Sequence, residues 1–411
     1  MKFPPVRGET TSALRDVLAA KPVGAAVVMP SVPADGPADE SVLPPSGHGP
    51  AAAPRTSSPV GLSGGAGRQD PTSALDRLER AVLDALSTPD GLVEDDDLQL
   101  ALYCLYELHY RGIDGTDPRW EWDPSLLRLR ALIEDAFEAE LRRLAAGVEL
   151  PAEAAALRNA ETARDGGAVA QDVAQVLFSL VAADDGPSVS RYIGGKATGW
   201  QLKEFLVHKS VYQLKEADPH TWAIPRLAGR AKAAMVEIQA DEYGGGRQDR
   251  MHSALFAGTM RAAGLDDAFG AYVAHVPGRT LAGVNMMSLF GLHRRLRGAI
   301  CGHLAVYEMT SSLPNRHYAR GFRKHGYGDA AVDYFDEHVE ADAVHEQIAA
   351  RDLAGGLVAA EPALLDDVLF GARAALAVDG LQGRANLEAW QRGRTSLLEP
   401  LPEAEPLPVH A

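Results

Sequence analysis

From Ser73 onward, apolar residues recur at three- and four-residue intervals, the period of one helix face. Ser73 is placed to cap a helix whose stripe is Leu75, Leu78, Val82, Leu83 and Leu86. A second helix is predicted over 95–109 on Leu98, Leu100, Leu102, Leu105 and Leu108. A third starts at Asp123 and Pro124 and runs to Ala146, since proline suits a first helical turn. Residues 150–168 are rich in alanine, glutamate and arginine, contain Gly166 and Gly167, and mark an expected domain boundary. Beyond them, helices are predicted over 169–184, 199–216, 219–243, 248–263, 266–275, 281–310, 315–325, 329–353 and 361–380. No run alternates with period two and β-branched residues are sparse, so the fold class is all-α.

The rhythm fails at both ends. Residues 1–72 hold 12 of the 26 prolines and nine glycines, and no aromatic after Phe3, so they bury too little to offset ordering entropy. A disordered tail is expected over 1–72; a short helix within 10–20 would lack an evident partner. Residues 399–411, with four prolines, form a second expected tail. Between them lie an expected helical subdomain over 73–165 and a main domain over 166–398. The helices of 73–146 carry more leucine than three helices can hide, which predicts a homodimer.

Composition narrows the function. A formal charge of −16 opposes nucleic-acid binding, which needs a basic surface. The two cysteines, Cys104 and Cys301, have no CxxC partner, so neither a disulfide framework nor a thiolate zinc site is expected. The first residues lack the apolar run of a secretory signal, and no stretch approaches the length of a membrane span. A cytoplasmic protein without a membrane partner is expected.

The strongest chemical signal is FDEHVEADAVHE, residues 335–346. His338, Asp342 and His345 fall at i, i+4 and i+7, roughly 0°, 40° and −20° around a helix turning about 100° per residue. All three share one narrow face. Imidazole and carboxylate together suit iron, manganese or zinc rather than calcium. The same helix is densely acidic, and a solvated acidic face would also place histidines there. Glu308 ends an apolar stretch (Ala299, Ile300, Leu304, Ala305, Val306) where an unpaired carboxylate is costly. Arg294, Arg295 and Arg297 lie 11 to 14 residues before it, beyond helical pairing reach. Gly298 and Gly302 permit close approach by another helix or a substrate. In ADEYGGGRQDRMH, Glu242 closes one helix and His252 opens another across three glycines. Those glycines suit a tight turn that brings both side chains to one point, or an ordinary loop.

In order and type, Glu242, His252, Glu308, His338, Asp342 and His345 resemble the six-ligand pattern of the haem-oxygenase-like diiron oxidases and oxygenases: Glu, His, an isolated Glu, then HxxxDxxH. The chain is similar to the iron-containing redox enzymes of actinobacteria over roughly 168–385. The resemblance implies a helical bundle without haem and two iron ions cycling between Fe2+ and Fe3+, a manganese–iron pair being the alternative. It further implies O2 as co-substrate, an external electron donor in some members, and a small-molecule substrate. Amine N-oxygenation, desaturation and C–C cleavage of amino-acid- or fatty-acid-like molecules are its reaction classes, and no catalytic residue beyond the ligands is implied. Two rivals stand: a non-catalytic helical metal-binding or interaction protein, and a metal-free hydrolase on the related thiaminase-like scaffold, which needs a cysteine nucleophile.

Two further pairs, Glu204 with His208 and Glu216 with His220, have i, i+4 spacing. They are expected to line the pocket or to hydrogen-bond the ligands, with helix pairing as the alternative, rather than to bind metal themselves.

Overall fold

The computed structural model describes residues 1–22, 71–87, 91–158, 165–186 and 188–402; the side chains of 71, 72, 342 and 343 lie outside the described residues. Among these residues every regular element is helical and no strand occurs.

Helix α1 (Glu9–Leu18) is followed, beyond the undescribed segment, by α2 (Pro71–Leu86), α3 (Asp96–Glu107), α4 (Pro124–Ala146) and α5 (Ala152–Arg158). Asp95 caps α3, accepting from the Asp97 and Leu98 amides, and Asp123 caps α4 in the same way just before Pro124. Residues 98–107 of α3 are buried on every side, so α3 is a core helix and not part of a peripheral layer.

The expectation of a disordered tail over 1–72 fails for residues 1–22. The Asp97 carboxylate accepts hydrogen bonds from the Thr10 amide (2.8 Å), the Thr11 amide (3.1 Å) and the Thr11 hydroxyl (2.5 Å), capping α1 from another helix. The Arg7 guanidinium donates to the carbonyls of Val273 (2.7 Å) and Val276 (2.6 Å). Leu14, Val17 and Leu18 are buried, so the partner that the sequence did not reveal is α2 and α3. Residues 23–70 and 403–411, where the rest of the expected tails fall, lie outside the described residues.

The main body comprises α6 (Gly166–Ala182), α7 (Val189–Gly195), α8 (Gly199–Gln213), α9 (Asp218–Thr221), α10 (Gly229–Glu242), α11 (His252–Ala262), α12 (Gly278–Leu292), α13 (Arg297–Met309), α14 (Ser312–Lys324) and α15 (Asp329–Gln347). A π-helical stretch, Ile348–Gly355, continues α15 into α16 (Gly356–Ala360), and α17 (Leu365–Gln391) closes the body. Two helices predicted as continuous are broken. The 219–243 stretch is interrupted at Pro225 and at Gly229, whose φ of 54° is left-handed. The 281–310 stretch bends at His293, which adopts an extended conformation (φ −103°, ψ 115°). Residues 266–275 form turns rather than a helix.

One apolar cluster runs without interruption from Leu14 and Leu78 through α3 and α4 into α12, α13 and α17. The helices of 73–165 are therefore built into the bundle instead of forming a separate subdomain. Of the leucines that suggested a dimer, Leu78, Leu98, Leu102, Leu105, Leu126 and Leu141 are covered within the chain, whereas Leu83 is exposed. A second cluster gathers Phe205, Phe256, Phe322, Phe335 and Trp390 from α8, α11, α14, α15 and α17. The Gly298/Gly302 step does admit another helix: a Cβ on Gly302 would stand 2.0 Å from the Val368 carbonyl oxygen. A Cβ on Gly371 would stand 1.9 Å from that of Ala299, so α13 and α17 touch backbone to backbone.

Candidate metal centre

Glu242 and Glu308 come from α10 and α13, which build the first apolar cluster; His252, His338 and His345 come from α11 and α15, and α11 and the first half of α15 build the second. The loop joining Glu242 to His252 contains Gly244, Gly245 and Gly246 with φ of 66°, 60° and 81°. Such angles favour glycine, and a Cβ on Gly244 would also strike the Arg250 carbonyl carbon at 2.5 Å. The turn brings Glu242 Oε2 within 2.8 Å of His252 Nδ1.

On α15, His338 Nδ1 donates to the Tyr334 carbonyl at 2.7 Å, which leaves Nε2 facing Glu216 Oε1 at 3.6 Å. His345 Nδ1 lies 3.5 Å from Glu308 Oε2, and its Nε2 donates to Asp241 at 3.0 Å. Glu216 follows the end of α8, and the Tyr334 hydroxyl lies 2.9 Å from each of its carboxylate oxygens. Glu216, Glu242, Glu308, His252, His338 and His345 are all buried.

The donor atoms form two groups. Glu216, Glu242, His252 and His338 place one donor each within 4.8 Å of one another, and Glu242, Glu308 and His345 do the same. Glu242 belongs to both. Five of the six expected donors are thus brought together; the side chain of the sixth, Asp342, lies outside the described residues, although its backbone continues α15.

Glu216 meets the pocket expectation, since it lines the cavity and faces His338, and it also lies among the donor atoms, which its spacing to His220 did not indicate. Its i, i+4 spacing to His220 carries no meaning, because α8 ends at Gln213 and the two side chains diverge. Glu216 turns to Tyr334, whereas His220 Nε2 pairs with His303 Nδ1 at 3.2 Å. The Asp218-Pro219 pair was the available signal: it starts a new helix and leaves Glu216 in a turn. His220 does line the cavity. Glu204 and His208 do not meet the pocket expectation. Glu204 accepts from Trp390 Nε1 (2.8 Å), the Thr395 hydroxyl (2.5 Å) and the Ser396 amide (2.9 Å). His208 pairs with Thr280 (2.9 Å) and Ser396 (2.8 Å), and burial pushes it down to about 3, so it is a neutral strut for the C-terminal segment. Asp241 was also missed: an exposed acid carries no periodic signal.

Electrostatics at the centre are strained. Burial, with the Glu242 charge added, raises the Glu308 carboxyl above its usual range against the His345 hydrogen bond. For Glu216 burial also works upward, but His338 and His252 outweigh it and the group is held low. Burial works downward on His345, yet Glu308 and Asp241 raise it to about 9. Three buried carboxylates converging this way require compensating positive charge, and mixed carboxylate and imidazole donors suit iron, manganese or zinc.

A cavity of about 710 Å³ opens onto the donors and includes Glu216, Glu242, Glu308 and His338 in its wall, beside Phe256 and Phe335. Both thiols are fully buried, and burial raises each well above the ordinary cysteine range. Neither is poised as a nucleophile, which removes support from the cysteine-hydrolase alternative. Arg295 and Arg297 pair with Glu138 and Glu361.

Residues 203–380 match the model of a haem-oxygenase-like family described as iron-containing redox enzyme. Over 180 residues the chain is 27% identical to the nitrosourea synthase of Streptomyces achromogenes subsp. streptozoticus. That alignment covers 43% of this chain and 38% of the relative, so well under half of the relative's length is represented. The matched segment spans α9 to α16, most of α8 and the first half of α17, and contains every residue of both donor groups. In helical architecture, buried donors and sequence, residues 203–380 are thus similar to the iron-containing redox enzymes.

Proposed function

We propose that the chain is a non-haem diiron oxidase or oxygenase that oxidises a small organic molecule in the 710 Å³ cavity. The observation that carries this reading is the pair of adjacent donor groups that share Glu242. Glu216, Glu242, His252 and His338 would hold one iron. Glu242, Glu308 and His345, with Asp342 as the further donor its position on α15 suggests, would hold the other. Iron bound there supplies the redox chemistry with O2 that the protein's own side chains lack. The chain orients its donors through Tyr334 and Asp241 and encloses the reacting molecule among aromatic rings. The likeness to a nitrosourea synthase favours oxidation of an amine nitrogen over desaturation or C–C cleavage.

The test is anaerobic loading with ferrous iron, metal analysis, and oxygen uptake with candidate amines. Two irons per chain and substrate-dependent oxygen consumption are expected, with at least one iron and the oxygen consumption lost in His338→Ala. Iron binding without oxygen consumption across a broad substrate panel would instead support a non-catalytic metal-binding protein.

A further inference from the structure

The turn that carries Glu216 is held from three directions. From α3, Glu107 forms an ion pair with Lys215, the residue before Glu216; both are essentially inaccessible, at 0% and 1% exposure. The Lys215 ammonium also lies 4.7 Å and 4.3 Å from the ring centres of Tyr103 and Tyr110. Arg111, just past α3, donates to the Leu214 carbonyl at 3.2 Å. From α10, Gln239 donates to the Ala217 carbonyl (2.9 Å) and Tyr243 to Asp218 (2.9 Å). From α15, Tyr334 grips the Glu216 carboxylate itself.

These restraints surround a conformation the chain would not adopt unaided. Ala217 has φ 75° and ψ −30°, and is the only non-glycine residue with positive φ among the described residues. A buried ion pair is a poor device for stability alone, since an apolar pair of equal volume does as well or better. This pair is costlier than most, because Glu107 Oε2 is buried without a hydrogen-bond partner. Unlike apolar packing, however, it fixes a long side chain at one point.

We infer that Glu107 of α3 is a positioning residue for the metal centre, acting through Lys215 to hold the strained turn and so the Glu216 carboxylate. Glu107 lies outside the segment 203–380, so the N-terminal helices complete a site that the family segment does not hold in place alone. The inference rests on the metal reading of Glu216.

The test titrates full-length chain with cobalt(II) alone, following visible absorption and equivalents bound, with melting temperature measured in parallel. The variants are Glu107→Gln and the double change Glu107→Met with Lys215→Met, which fills the same volume without charge. One of two cobalt equivalents is expected to bind at least tenfold more weakly in both variants, with an altered spectrum. The other should bind as in the native chain, and the double variant should regain the native melting temperature. Recovery of affinity together with melting temperature in the double variant would reduce the pair to packing and overturn the inference. Native-like binding of both equivalents in both variants would overturn it as well. A native chain that takes up no cobalt would overturn the metal reading itself.

Discussion

Tyr334 serves the centre twice, its hydroxyl fixing Glu216 and its carbonyl fixing the His338 ring. Tyr334→Phe removes only the first contact. A hydrogen bond to a charged group contributes about 1.5–3 kcal/mol, so one ferrous ion should bind roughly ten- to a hundredfold more weakly while the fold persists. Ferrous titration with circular dichroism in parallel checks this, and unchanged affinity would remove Tyr334 from the account. His345 supplies a second expectation. Lying near pH 9 without metal, it carries a proton at pH 7 that metal must displace. Affinity should therefore rise as pH increases from 7 to 9, and calorimetry in buffers of different ionisation enthalpy should detect proton release on binding. The free imidazole value alone would place this loss of affinity below about pH 6; the upward shift comes from Glu308 and Asp241, which are far from His345 in sequence. The sequence exposed His338 and His345 because a single helix face orders them. Glu216 was legible as a pocket residue but not as one of the grouped donors, and Asp241 was hidden, because these roles depend on a turn and a neighbouring helix.

At the scale of elements, periodicity located most helices but not their breaks. The 281–310 pattern stays apolar across His293, so nothing in its rhythm announces the bend that separates α12 from α13. The close approach of α13 and α17 was legible, because the Gly298/Gly302 spacing has a direct steric meaning. Gly302→Ala would push a methyl group into the Val368 carbonyl. Overpacking of this kind costs about 1–3 kcal/mol, and here the obstacle is backbone rather than a movable side chain. Urea unfolding should show a loss at or above that range, with metal affinity also reduced because α13 carries Glu308. A neutral result would mean that the two helices can separate freely.

At the scale of the molecule, the proline-rich composition of 1–72 concealed an ordered beginning. The short apolar set Leu14, Val17 and Leu18 is unremarkable in sequence and gains its meaning only from the faces of α2 and α3 that receive it. Leu14→Ala should cost about 2–5 kcal/mol, the range for a buried leucine, although the residue lies in a segment that composition marks as expendable. Thermal or denaturant unfolding decides between the two views. The same continuity of core explains why a boundary near 165 was expected but did not appear: alanine and glycine mark a change of composition there, whereas contacts decide where packing stops.

The two buried thiols give the chain an internal clock for its own opening. Cys104 lies in α3 and Cys301 in α13, one on each side of the supposed boundary. With both protonated and inaccessible, a thiol reagent can modify either only when the surrounding structure opens. Equal labelling rates for the two would reveal a molecule that opens as one unit. Faster labelling of Cys104 would show the N-terminal helices departing first, and with them the support beneath Glu216.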